Sequence, residues 1–238
     1  MESIRINKYI AMCGLASRRE ADRLIENGCV RIDGHIASQG EQVTDKMTVT
    51  VNDKTVSLQQ DKVVIAFNKP VGVVVTAKDE HAEKTIYDII DYPIRLSYAG
   101  RLDKNSEGLL LLTNDGDLID ALMKGRNGHE KEYYVRVSDN LSKTDMNHFS
   151  SGLYLKDLRV KTKPCRIDKV GDRQYKVILT EGLNRQIRRM FAEFGISVKV
   201  LRRLRIATVL LDDLPPGKYR ELSHDEIDKL YGYVKLKK

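Results

Sequence analysis

The stretch Ala99-Gly-Arg101-Leu-Asp103-Lys-Asn-Ser106-Glu107-Gly108-Leu109-Leu-Leu-Leu112-Thr-Asn-Asp115-Gly116 decides how this chain is read. Four consecutive leucines, residues 109–112, suit a strand buried on both faces. A polar loop leads into that strand, and Asp115-Gly116 opens the helix expected over residues 115–124. A loop anchored by a buried strand can present one side chain rigidly to a ligand, and Asp103 is the reactive group in it. A single loop aspartate is more commonly a turn or cap residue, so the loop by itself does not make Asp103 catalytic.

Working outward, further strands are expected at residues 63–67, 72–76, 133–137 and 175–180. Helices are expected at 85–90, 144–150, 184–194 and 223–231. This irregular alternation predicts an α+β domain over residues 63–238, built on a mixed, mainly antiparallel sheet. A separate block covers residues 1–58. Ile6, Ile10 and Ala11 keep one helical face apolar, and Gly14 is a stop. Ser17 caps a second helix, Arg18–Glu26, with Glu20 completing a capping box, and Asn27-Gly28 ends it. A strand Val30–Ile32, the turn Asp33-Gly34 and alternation through Val43, Val49 and Val51 follow. The polar residues 57–62 read as a linker.

Composition narrows the function classes. With 238 residues, 41% hydrophobic and 32% charged, the chain can bury a core. No apolar run of about 18 residues is present, and residues 1–10 lack a signal-peptide stretch, so a cytoplasmic protein is expected. Cys13, Cys29 and Cys165 fit neither a disulfide framework nor a zinc site and read as buried or semi-buried thiols. His35, His81, His129, His148 and His224 show no ligand spacing, so neither metal nor cofactor is expected. A net charge of +7 favours a polyanionic partner. Residues 181–205 hold seven basic side chains against two acidic ones, as a phosphate-facing surface requires. The first 60 residues hold eight of each, so charge says nothing about that block.

Arg5, Lys8, Cys13-Gly-Leu-Ala-Ser17-Arg18-Arg19-Glu-Ala-Asp and Gly28-Cys-Val-Arg31-Ile-Asp-Gly34 together resemble the S4 (αL-like) RNA-binding domain. The resemblance implies RNA contacts by Arg5, Lys8, Ser17, Arg18, Arg19 and Arg31. The physics agrees, since a helix N-terminus attracts phosphate before any side chain is added. Arg5 and Lys8 are expected on one face of the first helix.

Gly100-Arg-Leu-Asp103 followed by Ser106-Glu-Gly-Leu-Leu-Leu-Leu-Thr-Asn looks like the active-site motif of the RsuA-type ribosomal RNA pseudouridine synthases. Lys131-Glu-Tyr133 and Gln186-Ile-Arg188 match two further motifs of that family. The wording of Gly182-Leu-Asn-Arg-Gln-Ile-Arg-Arg-Met190, with His129-Glu-Lys-Glu-Tyr133, is most similar to its RluF-type, large-subunit branch. Members of that branch often carry a basic tail beyond the position of Lys238 here. The resemblance implies an essential aspartate at Asp103, a tyrosine stacking on the base at Tyr133, and an arginine paired with the aspartate at Arg188. It also implies ribosomal RNA as substrate, transfer RNA as a further candidate, and a monomer without cofactor. Competing readings are a non-catalytic RNA-binding ribosome assembly factor and a metal-dependent nuclease, the latter disfavoured because Asp103 lacks a second carboxylate cluster.

Pseudouridine formation breaks the uridine N1–C1′ bond, turns the uracil and rejoins it through C5. A carboxylate serves this either by attacking C1′ or by removing a ribose proton, and a guanidinium beside it favours its ionised form. The base must leave its helix first. Arg101 is placed either to fill the vacated space or to make a structural salt bridge, Arg185 and Arg189 to touch phosphate or the core. Asn68-Lys69-Pro70-Val-Gly72 reads as a turn whose Lys69 could reach RNA. Replacing Arg18 and Arg19 together by glutamate is expected to weaken RNA binding and flatten its salt dependence in filter-binding titrations; unchanged affinity at low salt would remove the S4 block from the interface.

Overall fold

Two kinds of hydrophobic spacing build two units in the computed structural model, which describes residues 3–58, 61–76, 83–123 and 128–236. One unit holds Met1–Val63 with Tyr92–Ser97 and Asn114–Gly116. The other holds Val64–Asp91, Tyr98–Thr113 and Asp117–Lys238. Residues 59–60 of the expected linker, Lys124 of the expected helix and His81 lie outside the described residues.

The first unit runs β1 (Ile4–Arg5), α1 (Ile6–Met12), α2 (Arg18–Glu26), β2 (Val30–Ile32), β3 (His35–Ile36), β4 (Gln42–Val43), β5 (Val49–Val51) and β6 (Lys54–Val56). Strands β3-β2-β5-β6 form one sheet, and β1 pairs with β4. Ile6 and Ile10 from α1 and Ala21 and Ile25 from α2 bury their apolar faces with Val30, Val43 and Val49. The Ser17–Glu20 capping box forms as the sequence predicts. Gly14 and Gly28 take the positive φ values, 76° and 69°, that let the chain leave each helix. Arg5 departs from expectation. It lies in β1 with extended backbone and caps α1, so it shares no helical face with Lys8.

The rest of the chain supplies β7 (Val64–Lys69), β8 (Ser97–Ala99), β9 (Glu107–Thr113), α3 (Gly116–Met123), β10 (Lys131–Val137), α4 (Lys143–Ser151), β11 (Tyr154–Leu155) and β12 (Val160–Lys161). It continues with β13 (Arg166–Gly171), β14 (Gln174–Leu179), α5 (Gln186–Ala192), β15 (Val198–Ile206), β16 (Val209–Leu210), β17 (Tyr219–Glu221) and α6 (His224–Val234). A nine-stranded sheet runs β13-β14-β10-β15-β9-β7-β17, with β16 beside β15 and β8 beside β9. It is mixed and mostly antiparallel, and β9 runs parallel to β15. Leu109 and Leu111 pack with Leu118 and Leu122 of α3 and Leu230 of α6. Leu110 and Leu112 on the opposite face are equally buried. The leucine run is thus a strand covered on both sides, as its composition demands. No helix among the described residues is long and apolar enough to cross a membrane.

The sequence expectations fail at three places. Residues 72–76 form no strand but a single bridge, Val74 to Thr85. Residues 85–90 shrink to one 3-10 turn, Ile86–Asp88, held by a Thr85–Asp88 capping box. Most consequential is β15, a nine-residue central strand carrying four basic residues, in a segment read as a phosphate-facing surface.

Where β9 meets β15 there is no room for a side chain. Gly108 has φ of 104°, and a Cβ there would run into the Arg203 carbonyl oxygen and stand 2.6 Å from the Arg203 nitrogen. Gly108→Ala is therefore expected to cost at least ~2–3 kcal/mol of stability in urea unfolding, with backbone strain adding to the overlap. An unfolding midpoint equal to wild type would show that the two strands can separate.

Candidate active site

The loop between β8 and β9 ends in a tight turn, with the Ser106 amide donating to the Asp103 carbonyl at 3.0 Å. Two cations grip this turn. Lys69 closes β7 and is fully buried; its Nζ donates to the carbonyls of Pro70 and Val73 at 2.7 Å each and reaches that of Lys104 at 3.4 Å. The Gly72 amide adds a 2.8 Å bond to Lys104. From α5, Arg188 Nη2 donates to the Asn105 carbonyl at 2.6 Å and to Ser106 Oγ at 3.2 Å, while Nη1 holds the Val198 carbonyl at 3.0 Å. Burial pushes the Lys69 ammonium down to about 8, against the pull of Asp103 and Glu107. Burial and the Arg185 charge likewise lower the Arg188 guanidinium, and Asp103 opposes them.

Above the turn lies a cleft of about 180 Å³, with Arg101, Asp103, Lys131, Tyr133, Arg185 and Arg203 in its lining. This is smaller than the ~300–1,000 Å³ typical of drug-sized ligands and suits one planar ring. Lys131 and Tyr133 are two residues apart on β10 and therefore share one face of the sheet. Arg203 faces Tyr133 across the β10–β15 ladder. Leu179 and Leu201 supply apolar lining. The Asp103 side chain keeps 30% of its surface exposed, so a ligand can reach it.

The structure brings Asp103 and Tyr133 to one cleft, but the arginine within ion-pair range of Asp103 is Arg185, with Nη1 3.8 Å from Oδ2. The resemblance nominates Arg188. That side chain is committed to the carbonyls and hydroxyl beneath the turn, so its contact with Asp103 runs through the backbone. Arg185 has a left-handed backbone, φ 50° and ψ 33°, an uncommon state for a residue with a Cβ that often accompanies functional sites. Arg101 is exposed beside the cleft. Arg189 is paired with Asp157 and bonded to Asn184, so its charge is engaged within the protein. The basic segment as a whole turns inward. Arg202 pairs with Glu107, Arg203 is buried, and Arg205 pairs with Glu130 and Glu132. Lys69 is likewise a buried strut rather than a surface contact.

In the first unit, Arg5, Arg18, Arg19 and Arg31 are exposed and Lys8 is half-buried on α1. Ser17 Oγ accepts from the Glu20 amide, and Arg31 Nη1 donates to the Gly34 carbonyl. The three cysteines are free and half-buried, and burial raises Cys13 and Cys165 to about 11, which keeps them inert.

The sequence offers Lys69 only as an RNA contact, and gives Lys131 and Arg203 no role of their own. Lys131 was within reach, because strand alternation puts it on the same face as Tyr133. Lys69 ends an apolar strand, where a charge is out of place unless it is bonded. Arg203 carried no signal without knowledge of β15.

Comparison with known proteins places the chain in a family. Residues 63–193 match the RNA pseudouridylate synthase family and residues 4–49 the S4 domain. The dual-specificity RNA pseudouridine synthase RluF of Escherichia coli K12 is 42% identical over 234 residues, which cover 98% of this chain and 80% of that one. An uncharacterized RNA pseudouridine synthase of Aquifex aeolicus is 34% identical, covering 100% and 97%. A crystal structure of a pseudouridylate synthase superposes with a TM-score of 0.71 at 32% identity, covering 96% of this chain and all of that one.

Lys131 gives the site a stability signature. Its Nζ donates to the His129 carbonyl at 3.2 Å, and burial with the nearby Arg203 charge lowers it to about 8. A lysine depressed by folding opposes the native state wherever the unfolded chain holds the proton more tightly. Lys131→Met is thus expected to raise the urea midpoint at pH 7, with the gap to wild type closing as pH rises from about 8 toward 10.5. A lower midpoint would make Lys131 a structural strut.

Proposed function

Because this chain belongs to the RNA pseudouridylate synthase family, with an S4 domain ahead of the catalytic one, it is an RNA pseudouridine synthase, and we propose that it modifies a uridine of large-subunit ribosomal RNA. The observation that carries the proposal is the half-open Asp103 carboxylate at the cleft, with the Tyr133 ring in the same lining and Arg185 at 3.8 Å.

The cleft admits one ring, so the target uridine is everted from its helix before reaction. Tyr133 offers a face on which the base stacks, worth ~1–3 kcal/mol per base. Asp103 is the catalytic group. It either attacks C1′ or removes the C2′ proton, and each route breaks the N1–C1′ bond while the base stays in the cleft. Arg185 supports its charge, and Arg188 positions the turn that carries it. Arg101 stands beside the base's exit from the helix. In this reading residues 1–58 form the S4 clamp, where Arg5, Lys8, Arg18, Arg19 and Arg31 meet phosphate, and residues 63–238 form the catalytic domain. A transfer RNA is a second candidate substrate, and the E. coli relative is named for acting with dual specificity on RNA.

Tritium release from uracil C5 tests the proposal. Wild type is expected to release tritium from a large-subunit ribosomal RNA transcript without added metal, and Asp103→Asn to lose at least ~1,000-fold in rate. Release from transfer RNA alone would overturn the ribosomal substrate. Silence from both RNAs would favour a non-catalytic RNA-binding assembly factor.

A further inference from the structure

The cleft holds two cations that the reading above does not use. Lys131 and Arg203 both line it, at 8% and 2% exposure, and among the described residues neither has a carboxylate partner. Arg203 Nε donates to the Leu109 carbonyl at 2.7 Å, while Nη2 is buried with no hydrogen-bond partner among the described residues. The acidic side chains nearby are occupied elsewhere. Glu181 Oε1 accepts from Gln186 Nε2 and from the Lys163 amide, both at 2.8 Å. Asp103 lies at 3.8 Å from Arg185. Two uncompensated buried cations are unfavourable unless a ligand supplies the missing charge.

We propose that Lys131 and Arg203 form a cationic floor that receives the carbonyl oxygens of the everted uracil and stabilises the uracil anion formed when the N1–C1′ bond breaks. The inference rests on the pseudouridine synthase reading. A flipped nucleotide enters base first, so the deepest groups of the cleft meet the base edge rather than the backbone phosphate. The electron pair of the broken bond remains on uracil, spread over N1, O2 and O4. Asp103 accounts for the sugar side, by bonding C1′ or by taking the C2′ proton. C5 then supplies the pair that forms the new C5–C1′ bond as the Asp103–C1′ bond breaks or, on the other route, as Asp103 returns the proton to C2′; the C5 proton leaves and N1 takes up a proton, so the formula is unchanged. Fixed cations in a water-poor cleft favour the charged leaving group over the neutral bound base. Leu179 and Leu201 keep the cleft wall apolar, which strengthens that preference.

A leaving-group test separates this role from a structural one. The transcript that wild type modifies is prepared with uridine or 5-fluorouridine at the target, and single-turnover loss of the intact target nucleoside, which follows N1–C1′ cleavage and needs no C5 proton, is compared for wild type, Lys131→Met and Lys131→Arg. Fluorine withdraws electrons and makes the departing base a more stable anion that needs less help. Lys131→Met is expected to slow the uridine RNA by roughly 100-fold, the range for one lost oxyanion donor. The 5-fluorouridine RNA should lose less than ~10-fold, with RNA affinity within ~3-fold of wild type. Lys131→Arg, which keeps the charge, should recover most of the uridine rate. Equal losses on both RNAs, or a loss confined to RNA affinity, would overturn the floor. A wild type silent on every RNA would overturn the parent reading and the floor with it, whereas an active wild type with equal losses overturns the floor alone.

Discussion

A single buried ammonium sets the register of the whole site. Lys69 has lost all contact with water, and carbonyl oxygens from Pro70, Val73 and Lys104 take water's place. A charge that deep is tolerable only if it is fully bonded, so the end of β7 and the turn after Asp103 are tied to one point. Arg188 ties the same turn to the start of β15 through Val198. The Asp103 carboxylate sits on backbone that two cations immobilise, and this is how a loop residue acquires the precision a reacting group would need.

Much of the fold was legible in the sequence. The leucine run, the capping box at Ser17, the strand through Tyr133–Val137 and the helix after Ser223 take their expected places. Each is a local signal, written by propensity and spacing. What escaped reading was set by tertiary pairing. β15 has four basic residues in nine and resembles a solvated surface until Glu107, Glu130 and Glu132 are found opposite them. Residues 72–76 have strand-like composition, but their amides serve the turn around Lys104 and a single bridge instead of a ladder.

The site shows the same division. Asp103 and Tyr133 were named from motifs and do meet in one cleft. The arginine facing Asp103 depended on a backbone state no pattern announces, the left-handed Arg185 that begins α5. Arg185 stands outside the helix as its left-handed cap while Arg188 lies within it, and one guanidinium reaches the cleft while the other bonds the backbone of the turn. Positive charge thus serves two ends in this domain. Part of it is structural, spent on carbonyls and carboxylates, and part lines the place where a base would rest.

The bonds that shape the Asp103 turn join segments far apart in the chain. Arg188 meets Asn105 across 83 residues, and Arg203 meets Leu109 across 94. β9 finds its parallel neighbour only when β15 exists. Contacts of such long sequence separation form late and slowly. During synthesis the helices and strands of residues 4–56 can therefore form before the turn that carries Asp103 is held, because that turn waits for Arg188 and the strand after it.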